Sequence, residues 1–207
     1  MENKKTEIDI ILPNYNSFEF IDKTIQSVLN QNFTNWRLII IDDFSDKKTK
    51  KKIKKYEKLK KIRVYWLKKN KGAAYCRNFA INKSNSNYLA FIDSDDIWEK
   101  NKLKLQLHYM KKHNYDFTYT YYKTIGLKSR KVIPPIKYDF DSFIKNTSIA
   151  TSTMMIKRKI AKNIKFTSTA ICEDYHFKCK VLKKVKFAYC LKKYLTKYRI
   201  RKKSLQS

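Results

Sequence analysis

Apolar positions along the first 122 residues follow two patterns in alternation. Short continuous runs, IDIIL at 8–12, WRLIIIDD at 36–43, IRVYWL at 62–67 and YLAFID at 88–93, have the length and β-branched content of buried strands. Between them the apolar residues recur at helical spacing. FEFIDKTIQSVLNQ places Phe20, Ile21, Ile25, Val28 and Leu29 on one stripe. KKTKKKIKKYEKLKK, at 47–61, sets Ile53, Tyr56 and Leu59 three apart beneath a lysine face, and predicts an amphipathic helix along that stretch. KGAAYCRNFAIN predicts a third helix and EKNKLKLQLHYMKKH a fourth, and YDFTYTYY a further strand. Strands alternating with helices predict an α/β fold, with a mostly parallel central sheet and helices on both faces.

The pattern changes after Gly126. KSRKVIPPIKYDFDSF carries the Pro-Pro pair and reads as a crossing loop. TSIATSTMMIKR predicts a strand, EDYHFKCKVLKK a helix, and KFAYCLKKYLTKYRI one or two strands. This mixed second half is expected to share the core of the first. The reading is a single domain over 1–207, with one half at about 8–122 and the other at about 127–207.

Composition narrows the function classes. A net charge of +30 suggests an anionic partner, yet only seven of the 48 basic residues are arginine, and no nucleic-acid reading motif is present. With two glycines and many Lys, Asn, Ile, Tyr and Phe, the bias matches drift towards A/T-rich codons. The charge therefore reads as a solvated lysine coat. No specific nucleic acid is expected, and peripheral contact with a membrane through the lysine-rich surface is the alternative use of the charge. The sequence has no apolar run of 18 residues, and MENKKTEIDI lacks a signal-peptide core, so the expected location is the cytoplasm or the inner membrane face. Cys76, Cys172, Cys179 and Cys190 lack metal-type spacing and read as buried free thiols.

Chemistry is expected where the parallel strands end, because ligands of such sheets bind at the carboxyl ends. The first strand ends on Pro13, Asn14 and Tyr15, the second on Asp42 and Asp43, and the fourth on Asp93, Ser94, Asp95 and Asp96. Asp46 and Asp96 precede predicted helices and read as caps. Five aspartates on one rim exceed what capping needs, since crowded carboxylates repel unless cations or donors compensate. Asp-x-Asp on a strand-to-loop turn offers oxygen ligands to Mg2+ or Mn2+ beside a substrate's phosphates.

The ordered blocks IDIILPNYN, IIIDDFSD, NKGAAYCRN, FIDSDD, EDYHF and YRIRKKSLQS resemble glycosyltransferase family 2 from residue 8 to 207. The resemblance implies a single GT-A (Rossmann-like) domain, an inverting enzyme and a nucleoside diphosphate sugar donor. It implies that Pro13 and Tyr15 border the base and ribose, and that Asp43 accepts from the base. Gly72 lets the backbone pass close to the nucleotide, and Arg77 pairs with acids at the site floor or approaches phosphate. Asp93 and Ser94 lie on the donor, Asp95 is a metal ligand with Asp93 beside it, and Asp174 is the general base. Where many members carry a histidine near the end of the domain this chain has Arg201, which with Arg199 would clamp the diphosphate. Phe44 stands where glycine is usual, and His176 is a candidate contact to the acceptor. The stop at Ser207 leaves out helices that often touch acceptor or membrane, so no other acceptor contact is assigned.

The expected function is metal-dependent transfer of a sugar from a nucleoside diphosphate sugar, expected to be a UDP-sugar, to a saccharide or lipid-linked saccharide in surface polysaccharide synthesis. One alternative is a nucleotidyltransferase, although LPNYNSFEF supplies no Gly-rich phosphate loop. The other is a non-catalytic basic protein that binds nucleic acid or a membrane surface.

Overall fold

The computed structural model describes residues 6–167 and 172–201. Its strands are β1 (Ile8–Asn14), β2 (Trp36–Asp42), β3 (Ile62–Trp66), β4 (Tyr88–Phe91), β5 (Ile97–Trp98), β6 (Phe117–Gly126), β7 (Lys131–Val132), β8 (Lys137–Tyr138), β9 (Met155–Lys157) and β10 (Ala188–Ile200). The helices are α1 (Ile21–Leu29), α2 (Lys47–Lys54), α3 (Gly72–Lys83), α4 (Lys102–His113), α5 (Phe140–Lys145), α6 (Arg158–Ala161) and α7 (Glu173–Leu182). A 3-10 turn covers Thr151–Thr153.

Side chains alternate across a strand, and here the alternation separates two cores. Ile8, Ile10 and Leu12 of β1 join Leu38 and Ile40 of β2 on one face, under α1, α2 and α4. Ile11, Ile39, Ile41, Leu89 and Phe91 point to the other face, where α3, α5 and α7 supply Ala80, Phe143, Phe177 and Val181. Both faces are covered, which is why these strands read as continuous apolar runs.

The sheet runs β3-β2-β1-β4-β9-β6-β10-β5, with β7 on β6 and β8 on β10. The pairs β1/β2, β2/β3, β1/β4 and β6/β10 are parallel, and the remaining pairs are antiparallel. The molecule is a single α/β domain with a mixed, mostly parallel sheet. No helix among the described residues is long and apolar enough to cross a membrane.

Three elements differ from the sequence expectation. The lysine-rich helix ends at Lys54, where the backbone N–H groups of Tyr56 and Leu59 turn to carbonyls three residues back. A spacing of three fits successive tight turns better than the 3.6 period of an α-helix. The strand expected over 147–158 contracts to β9, because the Thr153 hydroxyl bonds the Ala150 carbonyl and Thr151–Thr153 turn. The crossing loop contains β7 and β8, and β10 is one strand with two bulges near Tyr194. Asp46 does cap α2, accepting from the Thr49 N–H at 2.8 Å.

β6 and β10 end together. Gly126 has φ +93°, and a Cβ there would lie 2.5 Å from the Ile200 carbonyl oxygen. Gly126→Ala is therefore expected to destabilise the domain by about 1–3 kcal/mol. The check is the denaturant midpoint of the purified variant against the parent.

Candidate active site

The loops after β1, β2 and β4 open into a cleft of about 440 Å³. Pro13 and Tyr15 line it from the first loop, Asp43 from the second, and Asp93, Ser94 and Asp95 from the third. Gly72 and Arg77 reach it from α3, Asp174 from α7, and Arg199 and Arg201 from the end of β10. Every residue carried over from the family resemblance as a donor, metal or catalytic contact thus lies on one cavity wall.

Its floor is a buried guanidinium. Arg77 donates from Nη1 to Glu173 Oε1 and from Nη2 to Asp93 Oδ1, both at 2.7 Å, with a side chain 6% exposed. Burial works against its charge, but the Asp93 and Glu173 carboxylates outweigh burial and hold its pKa above the ordinary arginine value. Arg77 thereby fixes the loop after β4 to the first turn of α7.

The five aspartates of the rim divide. Asp43 accepts the backbone N–H groups of Lys71 at 2.7 Å and Gly72 at 2.8 Å, fixing the start of α3. Gly72 has φ +83°, and a Cβ there would meet open space, so the turn needs glycine for its conformation. Asp42 instead accepts from Asn14 Nδ2 at 2.7 Å and Ser45 N–H at 3.0 Å, and does not line the cleft. Asp96 is not a helix cap. β5 follows it, and its carboxylate accepts the Arg199 backbone N–H at 2.7 Å. Phe44 has φ +65°, the left-handed conformation that glycine takes without strain, and is exposed beside Lys50.

Asp95 faces the end of β10. Arg201 Nε pairs with Asp95 Oδ2 at 2.8 Å, and Arg199 Nε donates to the Asp95 carbonyl at 2.9 Å. Burial raises the Asp95 pKa, Arg201 opposes that, and Asp93 adds to it. Asp96 is pushed up further, by burial and then by Asp93 and Asp95. A rim that resists full ionisation is one where an added cation would be stabilised. Among the described residues no group of three or more His, Cys, Asp or Glu is arranged to hold a metal. Asp93 and Asp95 fit a Mg2+ or Mn2+ site of the kind that keeps one or two carboxylates and takes its other oxygens from phosphates and water.

Asp174, in the first turn of α7, accepts from Thr151 Oγ1 at 2.7 Å and pairs with Lys178 Nζ at 2.6 Å. Burial alone would raise its pKa, but Lys178 and Thr151 outweigh burial and hold it well below the usual carboxylate range. Thr151, Glu173 and Lys178 carried no role in the sequence reading. Lys178 sits four residues from Asp174, a spacing that brings opposite charges together on a helix, and Glu173 adjoins Asp174. Thr151 has no local signal, because only the 3-10 turn brings it here.

His176 is exposed, packs on Tyr175, and is absent from the cleft wall. His108 and His113 are exposed on α4. Cys76 and Cys190 are buried free thiols and Cys179 is half-buried, but Cys172 is exposed on the cleft lip, contrary to expectation. Residues 202–207, the end of the YRIRKKSLQS block, lie outside the described residues, as do residues 1–5.

The sequence profile described as Glycosyl transferase family 2 matches residues 9–185. The chain belongs to that family. A putative teichuronic acid biosynthesis glycosyltransferase, TuaG, from Bacillus subtilis is 35% identical over 212 residues, covering 100% of this chain and 84% of the relative. The Escherichia coli UDP-Glc:alpha-D-GlcNAc-diphosphoundecaprenol beta-1,3-glucosyltransferase WfgD is 34% identical over 178 residues, covering 85% and 70%. The GT-A fold is shared with Staphylococcus aureus TarS 1–349 in complex with UDP-GlcNAc, at TM-score 0.84 and 22% identity over 97% of this chain and 61% of that one. It is shared too with the mannosyltransferase PcManGT from Pyrobaculum calidifontis in complex with GDP-Man and Mn2+, at TM-score 0.77 and 12% identity over 98% and 59%. This family 2 chain therefore spans about three-fifths of those solved chains.

Arg77→Met keeps the length of the side chain but strands two carboxylates. We expect a loss of about 3 kcal/mol in folding stability, as for a buried pair that loses one partner. Equilibrium unfolding checks it, and an unchanged midpoint would remove Arg77 as the organiser of the floor.

Proposed function

We propose that this family 2 glycosyltransferase moves a hexose from a nucleoside diphosphate sugar, a UDP-sugar, to a hydroxyl of a saccharide or lipid-linked saccharide. The transfer inverts the anomeric centre, uses Mn2+ or Mg2+, and serves surface polysaccharide synthesis at the cytoplasmic membrane face. The observation that carries this reading is the convergence of Asp43, Asp93, Asp95, Arg201 and Asp174 on one cleft. The names of the teichuronic acid and diphosphoundecaprenol relatives support the acceptor class, and the UDP-GlcNAc complex of TarS supports the donor class.

In this reading residues 8–122 hold the donor and residues 127–207 shape the acceptor side. Pro13, Tyr15 and Asp43 take the base and ribose, and Gly72 leaves the backbone open towards the nucleotide. Asp93 and Asp95 would hold the cation, with Ser94 between them facing the donor. When bound, that cation offsets negative charge on the departing diphosphate. Arg201, with Arg199, pairs with the diphosphate through its planar donors. The acceptor oxygen attacks the anomeric carbon from the face opposite the leaving group. As the C–O bond forms, Asp174 takes the hydroxyl proton, and the bond from carbon to diphosphate oxygen breaks. Thr151 and Lys178 keep Asp174 ionised and oriented. A carboxylate so stabilised is a weak base, and its service rests on position.

Titration of UDP into the purified chain tests the donor site. Saturable binding that requires Mn2+ and is lost with EDTA or Asp95→Ala is expected. Binding that ignores both but vanishes in salt would overturn the reading in favour of an anion held by surface lysine. Arg201→Ala removes the present partner of Asp95, so Mn2+ alone should bind up to about fivefold tighter, the scale of a half-exposed ion pair, while UDP binds more weakly. Calorimetry of the two ligands separately checks this.

Asp174→Asn should lower kcat by about 10²–10⁴. With Lys178→Met, the influence that most lowers the Asp174 pKa is gone, so the acid limb of the kcat/KM profile moves to higher pH. A limb that stays in place would exclude Asp174 as the base.

A further inference from the structure

Six large apolar side chains are exposed among the described residues. Tyr15 lines the cleft and Phe44 follows Asp43, but Leu127, Ile133, Ile136 and Ile144 all fall between β6 and the end of α5. Three of these four can be placed on one face of the molecule. Tyr119 of β6 points into the core beneath α5 and α7, so Tyr121 and Lys123 stand on the same side of that strand. Lys131 of β7 is the register partner of Lys123 and shares that side. The Tyr194 ring lies 5.4 Å from Tyr121, with the Lys123 and Lys131 ammonium groups 5.7 and 5.9 Å from its centre.

The loop from β7 to β8 crosses this face. Tyr119 Oη donates to the Pro135 carbonyl at 2.6 Å, and the Cys190 N–H donates to the Ile136 carbonyl at 2.8 Å. Pro134 is buried, which leaves Ile133 and Ile136 outward, 63% and 56% exposed. α5 continues the same face, with Phe143 in the core and Ile144 out.

The charge on this face calls for an anionic partner. Residues 123–145 carry six Lys and Arg against Asp139 and Asp141; Lys123 and Lys131 stand on this face around Tyr194, whereas Lys137 lies against Phe187 on the other side of its strand. Lys123 and Lys131 sit directly opposite on adjacent strands, where like charges repel. Branched apolar side chains among lysines and half-buried tyrosines suit the boundary between headgroups and acyl chains. A nucleic-acid backbone would satisfy the lysines and leave the isoleucines in water.

We propose that this face seats the protein on an anionic bilayer, with Ile133, Ile136 and Ile144 among the headgroups and Lys123 and Lys131 on lipid phosphates. The inference deepens the proposed function and rests on its lipid-linked acceptor. From Ile144 the chain reaches Thr151, whose hydroxyl holds Asp174, within seven residues. A seated face therefore brings the acceptor side of the cleft close to the lipid surface.

The test is co-sedimentation of the full chain with phosphatidylcholine vesicles, with and without about one-third phosphatidylglycerol. Binding only to the anionic vesicles is expected. It should fall about tenfold or more in Ile133→Ser/Ile136→Ser and in Lys123→Glu/Lys131→Glu. The control Lys51→Glu/Lys54→Glu, with the same charge change on exposed positions of α2, should bind as the parent does. Melting curves and UDP titration on the same samples confirm folding and report on the donor site separately. Equal losses in all the charge variants, unchanged binding in the isoleucine variant, or no vesicle binding by the parent would each overturn the proposal. So would capture of single-stranded RNA by this face in place of vesicles. Vesicle binding that persists without UDP binding would sink the UDP-sugar reading of the donor site while leaving the seating surface intact.

Discussion

The Arg77 guanidinium, held between Asp93 and Glu173, is the contact on which the order of the carboxylate-rich rim depends. The two acids come from distant parts of the chain, one from the loop after β4 and one from α7. Brought together without a cation between them, they would repel in a partly buried place where water screens them only in part. With it, the end of a central strand and the first turn of a C-terminal helix become one rigid wall. The positions of Asp95 and Asp174, on either side of that wall, follow from it.

The remaining acids are balanced by different means, and the differences have chemical content. Asp43 is held by two backbone N–H groups, Asp95 by Arg201, Asp96 by the backbone of Arg199, and Asp174 by Lys178 and Thr151. Burial dominates for Asp95 and Asp96, whose proton affinity rises, whereas Lys178 and Thr151 together outweigh burial for Asp174, whose proton affinity falls. One cleft thus holds carboxylates driven in opposite directions, a common mark of divided acid, base and ligand roles.

Much of this was legible from the chain alone. Continuous apolar runs announced the doubly covered strands, and the Asp-rich ends of those runs gave the rim. The family-like blocks named side chains that the fold does bring to one cleft. What escaped was set by tertiary contacts. Asp96 looks like a cap in sequence, but the next residues pair with β10, and the backbone of Arg199 claims its carboxylate. The lysine-rich helix stops early because its apolar spacing matches tight turns. Thr151 reaches Asp174 only after Ser and Thr side chains have broken an expected strand, and no local pattern records that. Exposure of Ile133 and Ile136 was equally hidden, since a Pro-Pro loop gives no sign of which face it will cross.

The Asp95–Arg201 pair also bears on the order in which the cleft fills. In the proposed reading, a cation could take the Asp95 oxygen that Arg201 now holds only once the arginine lets go, and a diphosphate would be its natural new partner. Each ligand then removes an obstacle to the other, which is a positive thermodynamic linkage, equal in both directions. A chain with histidine in place of Arg201 would lack that obstacle and could hold its cation between turnovers. If the proposed reading holds, the cation and the nucleotide would instead arrive and depart as a unit.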